Sequence, residues 1–192
     1  MIKFSGLSHI NINVDNMDNA IQYYEKLFNA KPIQTFPHFK NSGFAKSAGF
    51  MKNPEDVNVS ITFLQIPNTS ITLELMEYHT PKFIDKRVSE KVTHQMGNVG
   101  HIALKVENID ESFEYIKSNN LAKMINEDPN YKPYKIDLIS PSDFHFYHKD
   151  KESNIAEKKA VCDIVGSIRY FYFIDNYGIQ WELEQGHTDI GE

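Results

Sequence analysis

Four side chains able to hold a metal ion stand at matched places in the two halves of this chain: His9, Glu74, His101 and Glu182. Each histidine opens a stretch of alternating residues, "HININV" and "HIALKV". Each glutamate sits inside another, "ITLELM" and "IQWEL". Side chains alternate between the two faces of a strand with a period of two. Ile10, Ile12 and Val14 therefore share one face, and His9, Asn11 and Asn13 the other. In the same way Ile102, Leu104 and Val106 oppose His101, Ala103 and Lys105. Ile71, Leu73 and Leu75 oppose Thr72, Glu74 and Met76, and Ile179, Trp181 and Leu183 oppose Gln180 and Glu182. The apolar faces suit packing beneath helices. The opposite faces hold two imidazoles and two carboxylates, a donor set suited to Ni²⁺, Co²⁺, Zn²⁺, Fe²⁺ or Mn²⁺. Any one of the four alone reads as an ordinary polar position. Their repetition in a matched pattern makes a metal site the expectation.

The elements that must position these groups also repeat. At the offset that lays His9 on His101, Ile10 meets Ile102, Val14 meets Val106 and Asp18 meets Asp110. A helical pattern follows each strand. Met17, Ala20, Ile21, Tyr24, Leu27 and Phe28 recur at three- and four-residue steps, with Asp15 or Asn16 to cap the start. Ile109, Phe113 and Ile116 make a shorter version behind Asn108. Each half ends on two strands joined by turn residues, "PNTS" and "DNYG". Each half thus reads β, α, β and then a β-hairpin, with a polar linker expected from about Pro81 to Gln95. Residues 37–57 and 124–167 fall outside the repeat. The second of these is too long for an idle loop, so partial structure is expected there, over a site or an interface.

Composition narrows the function. A formal charge of −6 argues against a nucleic-acid partner, which needs a basic face. Arg87 and Arg169 are the only arginines, so bidentate clamping of several anionic groups is limited. Cys162 is the single cysteine, which excludes an internal disulfide and fits a reducing compartment. The opening "MIKFSGLSHI" lacks the apolar core of a signal peptide, and no apolar run reaches the length of a membrane span. A cytoplasmic protein with no membrane partner is expected.

The phrases "GLSHININVDNMDNAIQYYEKLF", "ITLELMEY", "GHIALKVENIDESFEYI" and "RYFYFIDNYGIQWELEQG" resemble the vicinal oxygen chelate superfamily. That superfamily includes glyoxalase I, methylmalonyl-CoA epimerase, extradiol dioxygenases and fosfomycin-resistance proteins. The resemblance implies an α+β fold of two βαβββ modules, at 4–80 and 98–187 with an insertion at about 124–167, whose curved mixed sheets form a cup. It implies His9, Glu74, His101 and Glu182 as ligands of a divalent transition metal. Glu74 as a fourth ligand favours a lyase or isomerase of the glyoxalase I-like type. Such an enzyme chelates the vicinal oxygens of a small substrate and moves a proton through an enediolate-like intermediate. Glu182 is then the expected proton-transfer base, and Glu74 a second base or a pure ligand. With only two arginines to hold its carboxylates, and an insertion longer than usual for a compact glyoxalase, glutathione is not the expected substrate. Two alternatives of the same fold are an Fe(II) ring-cleaving dioxygenase and a non-catalytic small-ligand-binding protein.

Other polar residues carry less weight. Tyr78 and His79 are expected at the rim of the cup. Arg169 reads as a surface or structural residue. His38, His94, His145, His148 and His187 read as solvated, and Cys162 as inert. Two assemblies are consistent with the repeat: two modules closing one cup, or a homodimer that exchanges them.

Overall fold

In the computed structural model, which describes residues 7–82, 99–136, 139–146 and 148–186, both halves open on a short strand. These strands are β1, Ile10–Asn13, and β5, Ile102–Lys105. The chain divides into two units, Met1–Arg87 and Val88–Glu192. The expected linker lies, beyond Lys82, outside the described residues, as do His94 and His187.

The first unit continues with helix α1, Met17–Phe28, and strand β2, Lys31–Phe39. Helix α2, Ser42–Ser47, and a 3₁₀ turn, Pro54–Asp56, lead to β3, Asn58–Gln65, and β4, Thr72–Thr80. The Asn16 side chain accepts a hydrogen bond from Asn19 N–H and so caps α1, while Asn29 closes it in the left-handed region at φ 53°. Met17, Ala20, Tyr24 and Leu27 form its buried stripe. The sheet order is β1-β4-β3-β2, with β1 parallel to β4 and the other pairs antiparallel. Leu64, Leu73 and Leu75 are fully buried, and α1 packs on β3 and β4. Truncating any of these leucines to alanine costs about 2–5 kcal/mol by the usual cavity rule.

The second unit repeats the plan with one change. After β5 come helix α3, Ile109–Ser118, capped by Asn108, and strand β6, reduced to Lys123–Met124. Strand β7, Tyr134–Lys135, helix α4, Lys149–Glu152, and helix α5, Ile155–Ser167, precede the hairpin strands β8, Arg169–Ile174, and β9, Gln180–Gln185. The sheet order is β5-β9-β8-β6, and β7 also pairs with β8. The single second strand expected for this half is therefore split. Pro129 and Pro133 interrupt it, because proline has no N–H to give to a ladder. The Tyr131 hydroxyl fills the gap, accepting from Tyr172 N–H at 2.9 Å and lying 3.4 Å from Tyr172 C=O.

The β8–β9 turn sets the register on which the site depends. Gly178 adopts φ 80°, a conformation that closes a three-residue loop of Asn176, Tyr177 and Gly178. The buried Asp175 carboxylate accepts from Tyr177 N–H, Ile179 N–H and Trp181 Nε1–H, each at 2.9 Å. This places Tyr172 opposite Glu182 and Phe173 opposite Trp181. A slip of one residue would turn Glu182 to the helix side of the sheet.

The 124–167 stretch is built around a buried cation. Lys158, 5% exposed, donates to Pro141 C=O, Phe144 C=O and Glu152 Oε1 at 3.0, 3.1 and 2.7 Å. Its hydrogen bond, with those of Phe146 N–H and His145, holds the Glu152 carboxyl at about 2, below its ordinary 4.5. A depressed acid stabilises above its ordinary pKa, and that contribution is lost as pH falls through the folded value. Pepsin cleavage between residues 139 and 167 should therefore accelerate as pH falls from 4.5 toward 2, more than cleavage elsewhere. A uniform pH response along the chain would show that this pair does not hold the segment.

Candidate metal centre

The two units build the same pair of side chains in the same way. In the first, β1 runs parallel to β4 with Asn11 level with Glu74. In the second, β5 runs parallel to β9 with Ala103 level with Glu182. The histidine lies two residues before the level position in both. His9 Nε2 is 3.2 Å from Glu74 Oε2, and His101 Nε2 is 3.0 Å from Glu182 Oε2. Both carboxylates are largely enclosed, with side chains 14% and 11% exposed, while both imidazoles are open at 38% and 39%. Ser8 Oγ lies 3.2 Å from His9 Nδ1, which leaves Nε2 to face the carboxylate.

Each carboxylate also takes a neutral donor, from opposite sides in the two units. Asn11 Nδ2 donates to Glu74 Oε2 at 3.2 Å and to its carbonyl at 3.1 Å. Ala103 at the matching position of the second unit has no such group. There the Tyr172 hydroxyl hydrogen-bonds Glu182 instead. Phe63 is the counterpart of Tyr172, lying opposite Glu74. Both aromatic rings meet the histidine edge-on, at 6.0 Å for His9–Phe63 and 5.2 Å for His101–Tyr172. Burial, and then the charge of Glu182, push the Tyr172 phenol well above its ordinary value, so it stays a donor.

The surroundings differ. Beyond Glu74 the first unit presents Val59, Ile61 and Met76, with Phe39, Phe44, Phe63 and Tyr78 packed against them. The second presents tyrosines, with Tyr170 and Tyr172 5.6 Å apart. Asn11, Tyr172 and Gln180 escape a reading that weighs only metal-binding residue types. Alternation put Asn11 and Gln180 on the right face; Tyr172 required the hairpin register.

The donor chemistry fits a divalent cation. Acting as ligands, two carboxylates and two imidazole nitrogens would offer a summed charge of −2, and each enclosed carboxylate lies against a ring nitrogen. The structure brings His9 to Glu74 in the first unit and His101 to Glu182 in the second. Among the described residues, no group of three or more His, Cys, Asp or Glu side chains gathers in either unit.

The remaining candidates have other engagements. Tyr78 and His79 lie among the last residues of β4, before Thr80. His79 Nε2 is 2.8 Å from Ser60 Oγ, and its ring packs on His38 at 4.4 Å. His145 is exposed but pairs with Glu152 at 3.1 Å, and His148 begins α4 without a side-chain cap bond. Arg169 grips Asp110 through two 2.7 Å contacts, tying β8 to the start of α3. Cys162 is half-buried in α5. Among the described residues, no helix is long and apolar enough to cross a membrane.

Comparison with known proteins adds the lineage. The model of the Glyoxalase/Bleomycin resistance protein/Dioxygenase superfamily matches residues 6–132, a span that includes His9, Glu74 and His101 and ends before Glu182. No curated protein matches. A glyoxalase family protein from Bacillus cereus shares 17% identity over 96% of this chain and 95% of its own, with a TM-score of 0.62. A glyoxylase/bleomycin resistance protein/dioxygenase domain from Frankia sp. EAN1pec shares 13% identity over 96% and 100%, at 0.52. The fosfomycin resistance protein FosX from Listeria monocytogenes, complexed with Mn(II) and sulfate ion, shares 19% over 96% and 95%, at 0.49.

Proposed function

Because this chain belongs to the glyoxalase/bleomycin resistance protein/dioxygenase superfamily, we propose that it is a metal-dependent lyase or isomerase of the glyoxalase I-like type. Its substrate is a small molecule with two neighbouring oxygens. The observation that carries this reading is the doubled His–Glu pair, built at the same strand register in both units. We assign His9, Glu74, His101 and Glu182 as the ligands of one divalent transition metal, of the group Ni²⁺, Co²⁺, Zn²⁺, Fe²⁺ and Mn²⁺. Bound there, the metal supplies Lewis acidity that polarises the substrate's oxygens and acidifies the adjacent C–H.

The protein's own groups do the rest. Glu182 takes the proton at a carboxylate oxygen and returns it to the neighbouring atom of the substrate. Tyr172 orients that carboxylate through its hydroxyl, and His101 faces it at 3.0 Å. Glu74, held by Asn11, serves as a ligand or as a second base. The enclosure of both carboxylates keeps bulk water from competing for the proton. The proposal includes a cytoplasmic location and a homodimer as one of two assemblies.

The test is elemental analysis of the protein purified without chelator. The expected content is about one equivalent of transition metal per chain. No uptake after reconstitution with each of the five ions would leave a non-catalytic ligand-binding protein of the same fold. Oxygen consumption with catechols would move the reading to a ring-cleaving dioxygenase.

A further inference from the structure

Gln180 is fully buried, and among the described residues neither its Oε1 nor its Nε2 has a hydrogen-bond partner. A buried amide with both ends unmet is rare in a native protein and calls for a cause. The repeat provides an internal comparison. Gln180 lies opposite Ile174 in the β8–β9 pair, two residues before Glu182. The same place in the first unit is Thr72, opposite Gln65 and two residues before Glu74. There the polar groups satisfy one another: Thr72 Oγ1 donates to Gln65 Oε1 at 3.3 Å, and Gln65 Nε2 donates to the carbonyls of Ile66, Thr69 and Ile71. In the second unit the amide sits across from an isoleucine. Its face of the sheet is the one that carries Glu182 and Tyr172, and it lies one step before the Ile102–Trp181 pair, level with His101.

We propose that Gln180 is a substrate-recognition residue, and that it selects a neutral group able both to donate and to accept a hydrogen bond, such as a carboxamide or hydroxyl beside the chelating oxygens. This rests on the function proposed above. The chemical class follows from the amide itself. A carboxylate or phosphate would satisfy Nε2 but set a negative charge against Oε1. A cation would do the reverse. Only a neutral donor–acceptor group meets both ends. The amide itself is shielded from bulk water, so a partner there meets little competition for the same hydrogen bonds.

The experiment compares the native protein with Gln180→Leu, both loaded with Mn²⁺, using acetohydroxamate and N-methylacetohydroxamate as probes. Both molecules offer vicinal oxygens and a carbonyl that can accept from Nε2, and only the first keeps an N–H to donate to Oε1. Calorimetry should show the native protein preferring the N–H probe by about tenfold, and Gln180→Leu binding the two alike. Denaturant unfolding of the metal-free proteins should put the Gln180→Leu midpoint above the native one, since an unmet buried amide is removed. A lower midpoint would mean that the amide is a structural group. An unchanged probe preference in the variant, with Mn²⁺ bound normally, would overturn the recognition role and leave the metal reading standing. A native protein that takes up no Mn²⁺ would overturn the metal reading itself, and this assignment with it.

Discussion

Replacing Glu182 with Gln should lower turnover by about 10²–10⁴-fold while leaving part of the metal in place. Glutamine keeps the shape of the side chain and an oxygen that can face a metal, but it cannot take a proton. It also reduces the charge of the donor set by one, which weakens metal binding without removing a ligand position. Glu182 lies within hydrogen-bond distance of His101, and the Tyr172 hydroxyl bonds it as well. One amide has a single carbonyl oxygen for both neighbours, so some misorientation adds to the loss. Glu74→Gln separates the two roles. It should reduce metal affinity by a similar factor and cost less in turnover per loaded site, because Glu74, bonded by Asn11 of its own unit, serves first as a ligand while Glu182 takes the proton. The measurement is single-turnover rate divided by metal content for each variant. Activity of Glu182→Gln within tenfold of native would remove Glu182 from the role of base.

His101→Ala should abolish stoichiometric metal binding, taking the content from about one equivalent to near none after gel filtration. The imidazole is 39% exposed and contributes a nitrogen donor rather than core volume. Its loss should therefore change folding stability by no more than about 1 kcal/mol. Unfolding followed by circular dichroism checks that the variant is still folded when the metal is gone. His9→Ala, at the equivalent register of the first unit, should behave in the same way. Full metal content in either folded variant would strike that histidine from the ligand set. A loss in both is the result expected if the two pairs supply one ion.

Much of this molecule could be read along the chain because it depends on local chemistry. The three- and four-residue spacing of Met17, Ala20, Tyr24 and Leu27 and the caps at Asn16 and Asn108 are short-range signals, and the helices start where those caps stand. Period-two alternation sorts side chains between faces without knowledge of any partner strand. It was enough to set His9 and Glu74 on one face, and His101 and Glu182 on another, in a chain that repeats itself.

Pairing across strands is a different kind of information. That Tyr172 rather than Tyr170 faces Glu182 depends on a three-residue loop closed by Gly178, and one residue more or less would reverse every side chain beyond it. The split of the second unit's edge strand around Tyr131, and the buried Lys158 that gathers carbonyls from Pro141 and Phe144, join residues well separated in the chain. The unmet amide of Gln180 is visible only against its neighbours, because Gln65 and Thr72 look no different in sequence and satisfy each other. The sequence by itself determined which side chains share a face, since that follows from backbone period. The tertiary structure decided which of them touch, since that follows from turn length, register and burial.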